Sequence, residues 1–430
     1  CPDPVATNIR DVVSGPGVRL VCIRCGTESD PAPHGRGCDR CRAAGVPANL
    51  RTDYEMPSAG ERFVADLAGP LRGTARYRAL LPAAPDDDAA AAPSPMFAAP
   101  RLGAAIGLPR LWIKDESRGL SWSFKDRAAA MAVQHARTLG TEVLVTASTG
   151  NAAAATAAHA RRAELQAVVV FARGVDPLMA AFVAGYGACV AVAESKRDRW
   201  RLVGEAVRRY GWYPMSNYSD PPVGNNPYAL DGYKPIAYEM WEQLGRRTPD
   251  AVYFPICYGD AIAASRRAFA ELVELGLADR MPAHCGGEIY GSLTAALAAG
   301  TDTVAAAVVD HPTSATSISS PQSTFQALQA VRDSSGAVHT VGEDEIADSV
   351  ALAARCEGVL LENAAAAGLA ALRAHRARGL LPADTEVVLV ASSTGLKSLG
   401  GRLDRPLDAP EVDDVSALQA LTREQEEHRR

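Results

Sequence analysis

The alternation of β-branched runs with helical periods is the feature that most constrains how this chain folds. From Leu111 onward, short runs rich in Val, Ile and Leu recur between longer stretches with the 3.6-residue apolar period of helices. This pattern is typical of parallel strands joined by right-handed crossovers, so we predict an α/β protein with helices on both faces of its sheets. The predicted strands are 111–113, 142–147, 166–172, 189–193, 251–256 and 386–391, and the predicted helices are 127–139, 152–160, 198–210, 234–244, 262–277, 343–356 and 363–378.

Length and charge narrow the class of protein. With 430 residues, of which 47% are hydrophobic, the chain can bury a sizeable core and is expected to form two or more domains. The formal charge of -6 gives no reason to expect nucleic acid or an anionic membrane as a partner. No run reaches the roughly 18 apolar residues of a membrane span. We therefore expect a cytoplasmic protein that acts on a small molecule.

A lone lysine in an apolar and aromatic context is the first candidate for chemistry. The sequence Ser-Phe-Lys-Asp-Arg at 123–127 places Lys125 directly ahead of a helical run. Burial there would disfavour the charged form, lower the pKa of the amine and free it for Schiff-base chemistry. The alternative is a lysine whose ammonium simply reaches solvent.

A second motif follows the strand predicted at 142–147. Ser148, Thr149, Gly150 and Asn151 form a small-residue turn that opens an alanine-rich helix. The N–H groups and hydroxyls of such a turn can hold a carboxylate or a phosphate. A plain helix cap uses the same residue types, so the motif alone leaves both interpretations open.

Four of the nine cysteines form a separate constellation near the start of the chain. Cys22 and Cys25 are followed after twelve residues by Cys38 and Cys41. Two such pairs have the spacing of a tetrahedral thiolate site, and we predict structural Zn²⁺ there. Disulfides, which are rare inside cells, and a ribbon without metal are the alternatives.

Taken in order along the chain, these motifs resemble the tryptophan-synthase-β superfamily of pyridoxal-phosphate enzymes and, within it, threonine synthase. The likeness runs from about residue 95 to residue 400. The further matching motifs are Asn-Pro-Tyr-Ala-Leu-Asp-Gly-Tyr-Lys at 226–234, Tyr-Gly-Asp at 258–260, Ala-Thr-Ser-Ile at 315–318, Glu-Asn-Ala-Ala at 362–365 and Thr-Gly-Leu-Lys at 394–397. Some threonine-synthase-like proteins also carry a similar N-terminal ribbon.

The resemblance implies the fold type II architecture, in which two doubly wound α/β domains face each other with the cofactor in the cleft between them. It also implies a second copy of the chain as partner, since relatives are often homodimers. The implied division is a zinc ribbon at 1–50, a linker and irregular connection at 51–100, a large cofactor-binding domain at 101–126 and 216–402, a small mobile domain at 127–215 and a charged tail at 403–430.

The resemblance also implies roles for the motif residues. Lys125 would carry pyridoxal phosphate as a Schiff base and move protons, Asn151 would lie against the ring's 3-hydroxyl, and Ser148, Thr149 and Gly150 would bind the substrate's α-carboxylate.

Two further segments would complete the cofactor site. The loop of Cys257, Tyr258, Gly259, Asp260 and Ala261 would hold the cofactor phosphate, although an aspartate is a poor neighbour for that anion unless it points away. A hydroxyl at the end of the last strand would meet the pyridine nitrogen, and alignment on Gly-Leu-Lys gives Ser392, with Ser393 as the alternative.

The segment before the lysine departs from the family. Relatives commonly read Asn-Pro-Thr-Gly-Ser-Phe-Lys, whereas this chain has Leu-Ser-Trp in place of Pro-Thr-Gly. The indole of Trp122 beside the lysine predicts a substrate pocket of different shape, unless it packs into the core.

We therefore expect a threonine-synthase-like lyase or synthase that eliminates or replaces a β- or γ-substituent of an activated amino acid, in a specialised pathway. One alternative is a dehydratase or ammonia-lyase acting on serine, threonine or diaminopropionate. The other is a non-catalytic zinc-ribbon binding protein.

Overall fold

The structure is a computed structural model that describes residues 18–33, 35–70, 73–83, 93–148 and 150–398. The predicted charged tail at 403–430 and the predicted substrate contact Thr149 lie outside the described residues.

The described residues contain three sheets with helices between their strands. The strands are β1 (Arg19–Cys22), β2 (Glu28–Ser29), β3 (Leu50–Asp53), β4 (Met96–Ala98), β5 (Leu111–Asp115), β6 (Val143–Thr146), β7 (Gln166–Ala172), β8 (Cys189–Ala193), β9 (Tyr213–Pro214), β10 (Ala251–Pro255), β11 (Ala283–Glu288), β12 (Val338–Thr340) and β13 (Val387–Ala391). The helices are α1 (Asp39–Ala43), α2 (Met56–Ala68), α3 (Pro100–Ile106), α4 (Lys125–Thr138), α5 (Asn151–Arg162), α6 (Pro177–Gly185), α7 (Lys196–Tyr210), α8 (Pro227–Asp231), α9 (Lys234–Gln243), α10 (Asp260–Glu274), α11 (Ser292–Ala298), α12 (Phe325–Asp333), α13 (Glu343–Glu357) and α14 (Asn363–Ala377). Short 3₁₀ helices span Gly73–Leu80, Thr316–Ile318 and Gly395–Ser398.

The larger sheet has six strands in the order β12-β11-β10-β13-β5-β4. Five of them are parallel, but β4 runs antiparallel to β5, so the prediction of a purely parallel sheet is wrong at this edge. Every residue of β10 and β13 is buried, as expected for central strands covered by helices on both faces.

Two glycines explain why sequence reasoning missed β11. A Cβ on Gly286 would collide with the Phe254 carbonyl oxygen, and one on Gly287 would collide with the Ala367 carbonyl oxygen of α14. Only glycine allows the strand and the helix to approach this closely. The same residues remove the β-branched signal by which a strand is recognised in the sequence.

The smaller sheet has four parallel strands in the order β8-β7-β6-β9. Its strands and the intervening helices all lie within the segment 143–214, inside the small domain expected at 127–215. The α/β fold class is confirmed. The exact domain boundaries and the mobility of this segment stay predictions.

The prediction that the segment 51–81 is an irregular connection is wrong. The segment contains β3, the 13-residue helix α2 and the 3₁₀ helix Gly73–Leu80. Helix α2 has only Phe63 and Leu67 as large buried apolar residues, and Gly60 makes a close approach to Leu275. Met56, Phe63 and Leu67 nevertheless recur at the helical period, so the sequence carried a signal for this helix that the prediction of an irregular segment overlooked.

The N-terminal sheet has three antiparallel strands in the order β2-β1-β3. Its small core contains Leu20, Leu50 and three buried cysteines and continues onto Tyr228 of α8. The hydroxyl of Tyr228 donates to the carbonyl oxygen of Pro31 at 2.7 Å. None of the described helices in the chain combines the length and the apolar character needed to cross a bilayer.

A buried ion network ties α4 to the larger sheet. The Arg127 guanidinium donates to Glu116 and to Glu239, with nitrogen to oxygen distances of 3.0 Å and 2.6 Å. The ammonium of Lys114 donates to Glu239 at 2.7 Å and to the carbonyl oxygen of Ser94 at 2.8 Å. Two cations thus face two carboxylates, and each charge is compensated where water cannot reach it.

We expect Glu239→Ala to lower the free energy of unfolding by roughly 3–5 kcal/mol, because it leaves Lys114 and Arg127 buried with one carboxylate between them. Urea titration followed by circular dichroism measures the loss. The matched control is Glu194→Ala, whose partner Arg173 is 73% exposed, and it should cost less than about 1 kcal/mol. Equal losses in the two variants would contradict the network's importance.

Candidate active site

Lys125 begins α4 and lies in an aromatic corner of the molecule. Its side chain is partly buried, with Nζ 4.9 Å from the ring centroid of Phe124 and 5.5 Å from that of Tyr233. The hydroxyl of Tyr233 is buried and has no hydrogen-bond partner within the part of the chain that the structure describes. An amine and an orphaned phenol therefore face the same space.

The pKa of Lys125 is raised above its ordinary value, contrary to the expectation from burial alone. Burial disfavours the ammonium, but attraction to Tyr233 and Asp260 outweighs that effect. The prediction of a lowered pKa is therefore wrong, because the sequence did not reveal which groups surround the amine. Without a bound partner, Lys125 carries a positive charge at neutral pH.

The two residues after Lys125 fix its position. The carboxylate of Asp126 accepts from the hydroxyl of Ser121 at 2.7 Å and from its backbone N–H at 3.0 Å. His159 of α5 contacts the same carboxylate at 3.1 Å, and Arg127 belongs to the buried ion network described above. The turn before Lys125 is thus held by its own neighbours, which explains the Lys-Asp-Arg sequence.

The carboxyl end of β13 meets this turn. The N–H of Phe124 donates to the carbonyl oxygen of Ser392 at 2.8 Å, and the hydroxyl of Ser393 donates to the carbonyl oxygen of Trp122 at 3.2 Å. The hydroxyl of Ser392, by contrast, makes no hydrogen bond to any described residue. The structure therefore leaves Ser392 available for a ligand and commits Ser393 to the turn.

Asn151, the first residue of α5, is held by three distant segments. Its Nδ2 donates to Glu362 at 2.6 Å, and its Oδ1 accepts from Lys397 at 2.8 Å. Ser317 donates to the other oxygen of Glu362 at 2.8 Å. Glu362 precedes α14 but makes no capping hydrogen bond there, so its carboxylate serves this cluster rather than the helix.

Lys397 is a second lysine of the site, which sequence reasoning quoted in a motif but did not assign. Burial lowers its pKa to about 8, although the nearby carboxylates of Glu362 and Asp126 oppose that shift. Below that pH the side chain is an ammonium that holds the amide of Asn151. No local signal in the sequence joins Lys397, Glu362 and Ser317 to Asn151, because the contacts span more than 150 residues.

The expected carboxylate-binding turn is partly described. The hydroxyl of Ser148 is partly exposed and accepts from the N–H of Gly150 at 3.3 Å. A Cβ on Gly150 would approach the hydroxyl oxygen of Ser317 to 3.0 Å. The turn and the Asn151 cluster therefore lie side by side.

The expected phosphate loop joins β10 to α10. Gly259 has a φ of +72°, and a Cβ there would collide with Ala327, so only glycine makes this turn. The carbonyl oxygens of Cys257 and Tyr258 accept from the hydroxyls of Ser323 and Thr324 at 2.6 Å and 2.7 Å. These bonds engage two of the loop's carbonyl groups, and Ala261 is buried at the start of α10.

The carboxylate of Asp260, in the expected phosphate loop, is held by hydrogen bonds to other segments. Its Oδ1 accepts from the side-chain amide of Gln326 at 2.6 Å and from the N–H of Asn225 at 3.1 Å. The oxygen of the same Gln326 amide accepts from Asn49 of the N-terminal sheet at 3.1 Å. The carboxylate is therefore directed toward the ribbon side of the loop.

Trp122 does not pack into the core. Its side chain is 47% exposed and stacks on Phe182 of α6, with ring centroids 5.4 Å apart. Its backbone is left-handed, with a φ of +59°, at the position where relatives have glycine. Such a conformation in a bulky residue is strained and points to a functional constraint.

The four N-terminal cysteines converge as predicted. Their sulfur atoms all lie within 4.8 Å of one another, and the closest pairs are Cys22 with Cys41 at 3.6 Å and Cys25 with Cys38 at 3.7 Å. All four are free thiols. The donor set fits a tetrahedral metal site better than two disulfides.

Comparison with known proteins identifies the family of the chain. Residues 88–393 match the family described as pyridoxal-phosphate dependent enzyme. The threonine synthase of Synechocystis sp. is 32% identical over 311 residues, which cover 71% of this chain and 76% of that protein. The threonine synthase of Methanocaldococcus jannaschii is 27% identical over 337 residues, which cover 77% of this chain and 82% of that protein.

Solved structures share the fold at lower sequence identity. The processed form of threonine deaminase isoform 2 from Solanum lycopersicum has a TM-score of 0.61 at 20% identity and covers 84% of this chain and 92% of its own. Maize serine racemase has a TM-score of 0.59 at 21% identity and covers 78% of this chain and 94% of its own. The chain therefore belongs to the pyridoxal-phosphate-dependent enzymes of fold type II, as a threonine-synthase-like lyase or synthase of the tryptophan-synthase-β superfamily.

Proposed function

We propose that the protein removes a β- or γ-substituent, such as a phosphate or acyl group, from an activated amino acid and puts water or another nucleophile in its place. The observation that carries this proposal is the unengaged, neutral hydroxyl of Ser392, which lies at the end of β13 beside the turn that presents Lys125. A neutral partner leaves the cofactor's pyridine nitrogen unprotonated, which favours elimination and replacement over transamination. The threonine synthases among the relatives support the same reaction class.

The residues of the site fit pyridoxal phosphate. Lys125 offers the amine that the cofactor's aldehyde requires, and the orphaned hydroxyl of Tyr233 beside it lacks a partner in the described part of the chain. The first N–H groups of α10, which no intrahelical carbonyl accepts, suit the phosphate. When bound, the cofactor supplies the electron sink for carbanion chemistry.

Lys125 is the group that moves protons. With the cofactor and substrate bound, the Nζ of Lys125 would take the proton from the substrate's Cα and would return one during addition. Tyr233 and Asp260, which raise its pKa, favour the ammonium form that results from proton abstraction. The residue thus combines attachment with acid–base catalysis.

The substrate is oriented by residues beside the cluster around Asn151. Ser148 and Gly150 lie beside this cluster and are placed to bind the α-carboxylate, together with the N–H groups at the start of α5. Lys397 and Glu362 fix the Asn151 amide, so its position does not depend on solvent. The stacked pair of Trp122 and Phe182 offers an apolar wall for the substrate's side chain.

We also infer that Cys22, Cys25, Cys38 and Cys41 hold structural Zn²⁺. Four thiolates close the tetrahedral shell, so no position is left for catalysis. The metal would stabilise the N-terminal sheet, whose own core is small.

We expect Lys125→Ala to abolish the visible absorbance band of the bound cofactor, because no other amine occupies the start of α4. Lys397→Met is the matched control, since it removes the second lysine of the site and should keep the band. Absorbance spectra of both variants after addition of pyridoxal phosphate measure this. A band that survives in Lys125→Ala would show that the attachment residue is misassigned.

The reaction class is tested with the wild-type enzyme on O-phosphorylated and O-acetylated serine and homoserine, in parallel with serine, threonine and diaminopropionate. Release of phosphate or acetate with formation of a new amino acid is the expected result. Release of ammonia and a keto acid from the unactivated amino acids would instead establish the dehydratase or ammonia-lyase alternative.

Trp122→Gly should unfold with a free energy about 1 kcal/mol greater than Trp122→Ala, because both lose the stacking on Phe182 but only glycine relieves the left-handed strain. Both should bind the cofactor and change the KM for the amino acid. Urea titration and steady-state kinetics measure the two effects. Equal stabilities would show that the backbone at this position is not strained.

The purified wild-type protein should contain one zinc per chain, and Cys38→Ser should lose it with a lowered Tm. Cys189→Ser changes an exposed thiol far from the cluster in sequence and is the control that should keep the metal. Elemental analysis by mass spectrometry reads the metal content. A metal-free wild-type protein with free thiols would refute the zinc assignment.

A further inference from the structure

Two cations of α7 lack the anionic partner that other buried cations have. Lys196 and Arg199 lie three residues apart and so share one face of the helix. Arg199 is only 7% exposed, its Nε is buried without a hydrogen bond, and its guanidinium forms no ion pair with any residue of the described ranges. The partly buried Lys196 makes one long hydrogen bond, from Nζ to the hydroxyl of Ser320 at 3.4 Å, and its Nζ lies 5.2 Å from the ring centroid of Trp200.

The other buried cations each contact a carboxylate. Lys114 and Arg127 each contact Glu239, and Lys234 contacts Glu271 at 2.7 Å. A guanidinium left without an anion in such surroundings costs several kcal/mol. The unpaired guanidinium of Arg199 therefore points to a bound anion.

The two cations face the loop that joins β10 to α10. Nζ of Lys196 lies 6.0 Å from the ring centroid of Tyr258, and Arg199 also acts electrostatically on that phenol. Burial raises the pKa of the Cys257 thiol, and both Lys196 and Lys125 oppose that shift. Both lysines therefore lie close enough to Cys257 to act on its thiol.

We propose that Lys196 and Arg199, together with the hydroxyl of Ser320, bind a phosphoryl group opposite the loop 257–261. A phosphate monoester is the fitting class, because two cations and the N–H groups at the start of α10 match a dianion with several acceptor oxygens. Burial and repulsion by Arg199 lower the pKa of Lys196, and a dianion would relieve both the unpaired charge and this repulsion.

Two molecules could bring that phosphoryl group, and the choice between them rests on the proposed function. One is the cofactor, whose phosphate would gain cations in a loop that carries Asp260. The other is a phosphorylated amino-acid substrate, whose leaving group would be held by the same cations.

The test measures binding rather than turnover. Lys196→Gln and Arg199→Gln are compared with Arg201→Gln, which removes an exposed charge paired with Glu205 on the same helix. Calorimetry gives the affinity of each variant for pyridoxal phosphate and for pyridoxal, which lacks the phosphate, and the affinity of the cofactor-loaded protein for inorganic phosphate. Thermal melts of the cofactor-free proteins confirm that each variant folds.

Affinity for pyridoxal phosphate that falls about tenfold to a hundredfold, with pyridoxal binding unchanged, would assign the site to the cofactor. Unchanged cofactor binding with a similar loss for inorganic phosphate would assign it to the substrate. The inference is overturned if both variants bind all three probes like Arg201→Gln, or if pyridoxal binding falls as much as pyridoxal phosphate binding. A wild-type protein that binds no pyridoxal phosphate would refute the proposed function alone, because the inorganic phosphate measurement, then made on the cofactor-free protein, still decides this inference.

Discussion

The position of Lys125 depends on the buried contact between Arg127 and the carboxylates of Glu116 and Glu239. Arg127 lies two residues after Lys125, and its two partners belong to the segment after β5 and to α9. Because buried ion pairs gain energy only when their geometry is satisfied, a small displacement of α4 would break several bonds at once. Breaking the network is costly because it leaves a buried charge unpaired, but the intact network adds little net stability compared with apolar residues of the same size. Its main effect is therefore to specify where the helix begins.

The lysine itself shows how surroundings decide chemistry. Burial alone predicts an amine that loses its proton readily, yet the raised pKa follows from the phenol and carboxylate nearby. Lys397 shows the opposite outcome, since burial prevails over the attraction of Glu362. The pKa values of these two lysines thus shift in opposite directions because of partners that are distant in sequence.

Much of the fold could be predicted from the sequence where the local pattern matches the packing. Helix α14 and strand β7 were found within a residue, because apolar period and β-branched runs carry their signal. Strand β11 was missed because the glycines that let α14 approach also erase that signal. At the candidate site, motifs predict Lys125, Asn151 and Ser392. Glu362 and Lys397 belong to matching motifs, but their contacts with Asn151 arise from tertiary packing that no local pattern encodes. The same holds for the stacking of Phe182 on Trp122.

The side chain of Gln326 connects Asn49, at the edge of the N-terminal sheet, to the loop 257–261. An amide has one accepting end and one donating end, and Asn49 fixes which is which by donating to its oxygen. The nitrogen then has to point at the carbonyl oxygen of Tyr258 and at Asp260. Asn49 thus fixes the orientation of an amide that contacts a loop some 200 residues further along the chain. A chain shortened past its first sheet would lose the hydrogen bond from Asn49. The Gln326 amide could then rotate and bring its oxygen toward the carboxylate of Asp260, which repels it.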